Sequence, residues 1–181
     1  MHFFEYYYEN IIKYDLINKF HYKDLKQLPK LKKIVLNFGC RNSDLRVLAT
    51  ILLSLELITN QRCVLTISKT SSVLLKIRKG DPVGCKVILQ KTIMYHFFAK
   101  LLFKIFSKLK NFSGFIIKST SLNSKAVSYK LKNSLIFSEL EQNYYLFNNL
   151  PSLNITIVTN TTKKKDFFFL LSSFKLPKKK Q

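Results

Sequence analysis

Six cations and two amides stand where they could grip a polyanion. Lys33 and Asn37 lie in "KLKKIVLNF", Gln61 in "NQR" and Lys86 in "CKVILQ", while Lys69, Lys76, Arg78 and Lys79 flank and punctuate "KTSSVLLKIRKG". Ammonium and guanidinium groups bind phosphate oxygens and set a protein's register on nucleic acid. Asn and Gln each carry a donor and an acceptor that can meet base edges or ribose hydroxyls. The whole chain leans the same way, since 31 Lys and Arg against 10 Asp and Glu give 181 residues a formal charge of +21. Such an excess repels itself unless a dense anion lies close, and phosphate binding turns it into affinity through counterion release. Nucleic acid is the first partner this implies; an anionic membrane surface, met by a peripheral protein with basic and aromatic faces, is the alternative.

Other chemistries find little footing. The acidic residues are few and scattered, with no converging acid, base or nucleophile, so no catalytic residue is expected. His2, His21 and His96 share no metal-ligand spacing, and Cys40, Cys63 and Cys85 are odd in number with no C-x-x-C pair. Neither a metal site nor a disulfide framework follows; the cysteines should pack as small free thiols. Gly80 and Gly84 match no dinucleotide or phosphate loop and suit a turn that needs a permissive backbone. No cofactor is expected. The longest apolar run, residues 47–55, is far short of the roughly 20 residues of a membrane span. The opening "MHFFEYYYENIIKY" has no basic or Arg-rich leader, so no targeting segment is expected.

The elements that must position these residues read from periodicity. Residues 5–20 predict an amphipathic helix with Tyr8, Ile11, Ile12 and Leu16 inward. After Pro29, the alternation of Ile34, Leu36 and Phe38 with Lys33, Val35 and Asn37 predicts a strand that Gly39 ends. Asn42, Ser43 or Asp44 should cap an apolar helix running to Thr59. A second strand, "CVLTIS", should place Leu65 and Ile67 on one face, and a third, "CKVILQ", should bury Cys85, Val87 and Leu89. Residues 92–110 predict the clearest helix, with Phe97, Leu101, Ile105 and Leu109 inward and Lys100, Lys104 and Lys108 on another stripe. Residues 111–149 predict loops with one or two strands among "FIIK", "AVSYKL" and "SLIF". "LNITIVTNT" predicts the last strand, followed by a short helix and a basic tail over 175–181. Because the strands alternate apolar with Lys33, Asn37, Lys86 and Gln90, helices should cover one face only. The expected fold is α+β: an antiparallel sheet of about five strands with helices on one face, in a single domain over residues 1–181 whose first 28 residues are a helix and lead-in.

Residues 76–89, "KIRKGDPVGCKVIL", closely resemble the K-I-R-x-G-x-P-x-G-C-K-V-x-L signature of the universal large-subunit ribosomal protein L five family. The resemblance continues through "LPKLKKIVLNFG", "LITNQRCVLTISK", "MYHFFAKLL", "NFSGF", "SLIFSEL" and "LNITIVTNT", in family order and near-family spacing. It implies a non-enzymatic constituent of the large ribosomal subunit. Its partners would be 5S-type rRNA and large-subunit rRNA in the central protuberance, P-site tRNA, neighbouring ribosomal proteins there and the small-subunit head. By motif, Lys33, Asn37, Gln61 and Lys86 would serve the 5S-type RNA, and the loop carrying Lys69, Lys76, Arg78 and Lys79 would serve tRNA. The chain departs from the pattern at Ile88, where the family has Thr, and at "TSSVLLK", where it has K-S-V-A-G-F-K. It also departs at "SLNSKAVSY" and at Ser138, where the family has Pro.

Of the 31 Lys and Arg residues 27 are Lys, and Phe, Tyr, Ile and Asn abound beside only 4 Gly. These are AT-rich codon choices. With Met1 standing where the family begins, synthesis inside an organelle is expected, a mitochondrion first, with a plastid or an AT-rich bacterium as alternatives.

Overall fold

Ile34, Leu36 and Phe38 are wholly buried while the residues between them are half-exposed, and the strand they form is the centre of the sheet. The computed structural model describes residues 3–22, 24–40, 44–109, 114, 125–161 and 163–177. In chain order the helices and strands are α1 (Phe3–Tyr7), α2 (Lys13–Lys19), β1 (Leu31–Gly39), α3 (Leu45–Thr59), β2 (Val64–Ile67), β3 (Pro82–Leu89), α4 (Lys91–Lys100) and α5 (Phe106–Lys108). Then follow β4 (Ala126–Leu131), α6 (Ser138–Glu141), α7 (Tyr144–Phe147), β5 (Leu153–Thr159) and α8 (Lys164–Ser173). The five strands make one open antiparallel sheet in the order β2-β3-β1-β5-β4, the α+β arrangement that the alternating strands predict. Cys85, Val87 and Leu89 of β3 and Leu153, Ile155 and Ile157 of β5 are buried like the apolar residues of β1. The intervening Lys33, Asn37, Lys86, Asn154 and Thr156 are only half-buried, as one-sided helical cover requires.

The chain groups into two compact units. The first comprises Met1–Ile34, Leu89–Ser128 and Thr156–Gln181. Here Phe4, Tyr8, Ile12 and Leu16 are buried at a strict spacing of four, although an α-helix carries every fourth residue about 40° off its stripe. A π-helical turn at Tyr8–Ile12, between α1 and α2, corrects the drift. Ile11, expected inward, is therefore turned out and 45% exposed. A second π-helical turn, Leu101–Ile105, does the same after α4, so that Phe97, Leu101 and Ile105 are all buried. α1 packs on α4 and α2 on α8. Their shared core is aromatic: Phe98 meets Phe4 and Phe174 edge-on at centroid distances of 5.3 and 5.4 Å. The Tyr8 hydroxyl donates to the Pro29 carbonyl at 3.0 Å.

The second unit comprises Val35–Ile88 and Tyr129–Ile155. Of the three residues offered as caps for α3, Asp44 accepts from the Arg46 N–H at 3.2 Å. The helix ends at Asn60, whose φ of 52° is left-handed and whose N–H donates to the Glu56 carbonyl. Leu48, Ile51, Leu55 and Ile58 are its buried stripe, and α3 packs on α6 and α7. "SLIF", one of the three pieces that could supply a strand by composition, instead forms a 3₁₀ turn at Ser134–Ile136, started by the Asn133 side chain accepting from the Leu135 N–H at 3.0 Å.

β2 departs most from its reading. Leu65 and Ile67 are expected to share a face of a regular strand, but a register shift falls between Thr66 and Ile67, and the two residues are 46% and 65% exposed. A short edge strand pairs on one side only, so alternation in its sequence need not bring burial. Asn42, Ser43, "FIIK" and residues 178–181 of the basic tail lie outside the described residues.

Candidate nucleic-acid interface

Burial of the alternate residues of β1 and β3 leaves the others facing out, and this sorts the sheet-face candidates. Asn37 and Lys86 belong to the second unit, both half-buried on strands whose neighbouring positions Phe38, Cys85 and Val87 are in the core. Lys33, also half-buried on the outward positions of β1, belongs to the first unit. Gln61 sits in the same unit as Asn37, in the turn after α3, where its backbone N–H donates to the Thr59 hydroxyl at 3.4 Å. Among the described residues, the side chains of Asn37 and Gln61 have no hydrogen-bond partner, and Lys33 and Lys86 have no ion pair.

The loop from β2 to β3 is a two-tier hairpin. At its base the Ser68 N–H donates to the Asp81 carbonyl at 2.8 Å and the Gly80 N–H to the Ser68 carbonyl at 3.0 Å. Residues 78–81 close a turn there: Gly80 takes φ +97°, and the Asp81 carboxylate accepts from the Arg78 N–H at 2.8 Å. Further out, Ser72 and Ile77 exchange backbone hydrogen bonds of 2.9 and 3.1 Å around a tight turn of residues 73–76, with Lys76 at φ +52°. Lys69, Lys76, Arg78 and Lys79 are all exposed. Lys76 is the last residue of the outer turn, while Lys69, Arg78 and Lys79 lie outside it. The other turn residues are Val73 and Leu74, which are 93% and 96% exposed, and Leu75 beside them. In the sequence these three residues stand out within "TSSVLLK", a departure from the family pattern, but are given no role; the signal was an aperiodic apolar triplet inside a polar loop.

The rest of the described surface offers no reactive centre. The three cysteines are free. Burial pushes the Cys85 thiol up to about 11, with the nearby Cys40 adding to it, and pushes the Cys63 thiol up to about 12, with Glu56 adding to it. Both stay protonated at neutral pH and are poor nucleophiles. No group of three or more His, Cys, Asp or Glu among the described residues could hold a metal ion. No helix among the described residues is long and apolar enough to cross a membrane.

The outward amides lend themselves to a direct experiment. The double substitution Asn37→Ala with Gln61→Ala should weaken RNA capture while changing stability by no more than about 0.5 kcal/mol, since neither side chain is buried or bonded. Filter binding paired with a thermal melt separates the two effects; a collapse of the melt would make these side chains structural.

The sequence profile of the ribosomal L5 family C-terminus matches residues 82–178, more than half of the chain. The chain is 39% identical over 177 residues to large ribosomal subunit protein uL5m of Reclinomonas americana, covering 96% of each. It is 35% identical over 182 residues to large ribosomal subunit protein uL5 of Wigglesworthia glossinidia brevipalpis, covering 99% of this chain and 100% of the relative. With the uL5 of Blochmanniella floridana it shares 33% identity over 175 residues, covering 96% and 90%. The profile match starts at Pro82, which opens β3, and runs past the end of α8, while the relatives align nearly end to end: the chain belongs to the ribosomal L5 family.

Proposed function

We propose that this chain is a structural constituent of the large ribosomal subunit that binds rRNA and performs no catalysis. The observation that carries this is its near full-length likeness to large-subunit uL5 proteins, and the charge of +21 supports it. In this reading the whole chain works as one RNA-binding domain. Lys33, Asn37, Gln61 and Lys86 meet 5S-type rRNA, large-subunit rRNA lies alongside in the central protuberance, and the hairpin with Lys69, Lys76, Arg78 and Lys79 reaches P-site tRNA. Neighbouring ribosomal proteins and the small-subunit head complete its partners. The name uL5m of one relative points to a mitochondrial ribosome, while the bacterial uL5 relatives keep a bacterial or plastid setting as the alternative.

If phosphate contacts dominate, affinity for rRNA should fall at least about tenfold between about 50 and 200 mM salt, because each neutralised phosphate steepens the slope. Sedimentation in detergent tests the assignment itself: the protein should travel with large subunits. Release by detergent together with a flat salt response would favour the membrane-surface alternative and overturn this function.

A further inference from the structure

We infer that the outward face of the N-terminal helical segment, residues 3–17, docks an amphipathic helix of another protein, one that carries Lys or Arg along the edge of its apolar stripe. The inference rests on the large-subunit reading, which supplies the particle where that protein is met, and it adds the face used and the chemistry of its occupant.

The segment has two apolar stripes. One, Phe4, Tyr8, Ile12 and Leu16, is buried in the first unit. The other, Phe3, Tyr7, Ile11, Tyr14 and Ile17, steps by four, four, three and three residues, the period of one helix face. Of these, Tyr7 is half-buried and the other four are exposed, Ile11 being turned outward by the π-helical turn at Tyr8–Ile12. At its N-terminal end the outer stripe opens into a cleft of about 450 Å³, with Phe3, Tyr7, Phe103 and Phe174 among its walls. Phe3 stacks on Tyr7 at a centroid distance of 6.2 Å and Phe4 on Phe103 at 5.7 Å, so these walls are set before anything binds, although Phe103 itself is 66% exposed. A cleft that continues into a stripe roughly 20 Å long, at 1.5 Å per residue, has the shape to receive a helix with one large apolar anchor. Leaving so much contiguous apolar surface in water is unfavourable.

Charge identifies the occupant. Residues 1–20 hold three acids, Glu5, Glu9 and Asp15, against two lysines, in a chain that carries +21 overall. Both lysines are engaged within the chain, Lys13 with Glu9 at 3.3 Å and Lys19 over the Phe169 ring at 4.3 Å. Asp15 is exposed and, among the described residues, has no ion pair. RNA and anionic lipid are drawn to the rest of this surface and not to this segment, and a second copy would set another +21 against the first. A protein helix whose Lys or Arg reaches Asp15 satisfies the apolar stripe and the charge together. Lys175 lines the cleft, at the other end of the face from Asp15, and suits the carbonyl end of the docked helix.

The experiment uses the full chain in purified large subunits. A photoreactive benzoylphenylalanine takes the place of Tyr14 in one variant and of Phe103 in another; the subunits are irradiated and the joined peptides sequenced. Both positions should cross-link to one other protein, within a single segment that has apolar residues at helix period and Lys or Arg beside them. In the variant labelled at position 103, adding Ile11→Ser with Tyr14→Ser, or adding Asp15→Lys, should remove most of that cross-link. Adding Tyr145→Ser, at an exposed residue of the second unit, should leave it intact. The substituted side chains are exposed, so melting temperatures should match wild type. Cross-links to rRNA, to a second copy, to the chain's own residues, to an acidic segment or to nothing overturn the docking face and leave the large-subunit reading standing, as does a cross-link that survives both sets of substitutions. A chain absent from large subunits overturns that reading and the docking face together.

Discussion

Phe98→Ala should cost about 3–5 kcal/mol of stability, the range for emptying a fully buried aromatic site. Phe98 is wholly buried, and its ring is the common neighbour of Phe4 on α1 and Phe174 just after α8. Removing it strips two edge-to-face contacts and leaves a void that no single neighbour can fill, because one is fixed on α1 and the other at the C-terminal end of α8. For a chain of this size the melting midpoint should drop on the order of 10 °C. Tyr145→Ala, at a side chain 74% exposed, provides the contrast and should stay within about 0.5 kcal/mol of wild type. Equal midpoints for the two variants in a urea or thermal melt would show that the first unit's aromatic cluster does not hold it together.

Gly84→Ala comes next in size, at about 3 kcal/mol, and for a different reason. A Cβ on Gly84 would collide with the carbonyl oxygen of Phe38, inside any van der Waals contact, and would also press on the Thr66 hydroxyl at 3.0 Å and the Phe38 carbonyl carbon at 3.3 Å. The main obstacle is backbone, so no rotamer change relieves it. One of the strands β1 and β3 has to move, against the Cys40 N–H that donates to the Val83 carbonyl at 2.8 Å. The outward positions of those strands carry Asn37 and Lys86, so the fraction of protein competent to bind RNA should fall with stability. Gly39→Ala is the matched control: nothing lies within 4 Å of its added Cβ, and the substitution should be neutral or slightly stabilising. A Gly84→Ala protein that melts with wild type would remove the close approach as the reason for glycine there.

Much was legible before any coordinates, wherever a residue's environment follows from its near neighbours in the chain. The alternation of Ile34, Leu36 and Phe38 marked β1 and its buried face, Asp44 was among the expected caps of α3, and the excess of Lys pointed to a polyanion. The ordered motifs from "LPKLKKIVLNFG" to "LNITIVTNT" identified the family, because they record many local constraints at once. What only the tertiary structure decided depends on residues far away in sequence. Ile11 reads as inward until the four-residue spacing of Phe4, Tyr8, Ile12 and Leu16 is met by a π-helical turn. Leu65 and Ile67 read as one face of a regular strand until β2 takes the sheet edge with a register shift before Ile67. Gly84 reads as a turn residue until β1 comes to lie against it. In the hairpin, four cations drew the eye to charge, yet the Ser72–Ile77 pairing puts Val73 and Leu74 foremost. Hydrophobic periodicity states which face of an element wants cover; strand order and pairing register determine whether that face receives it.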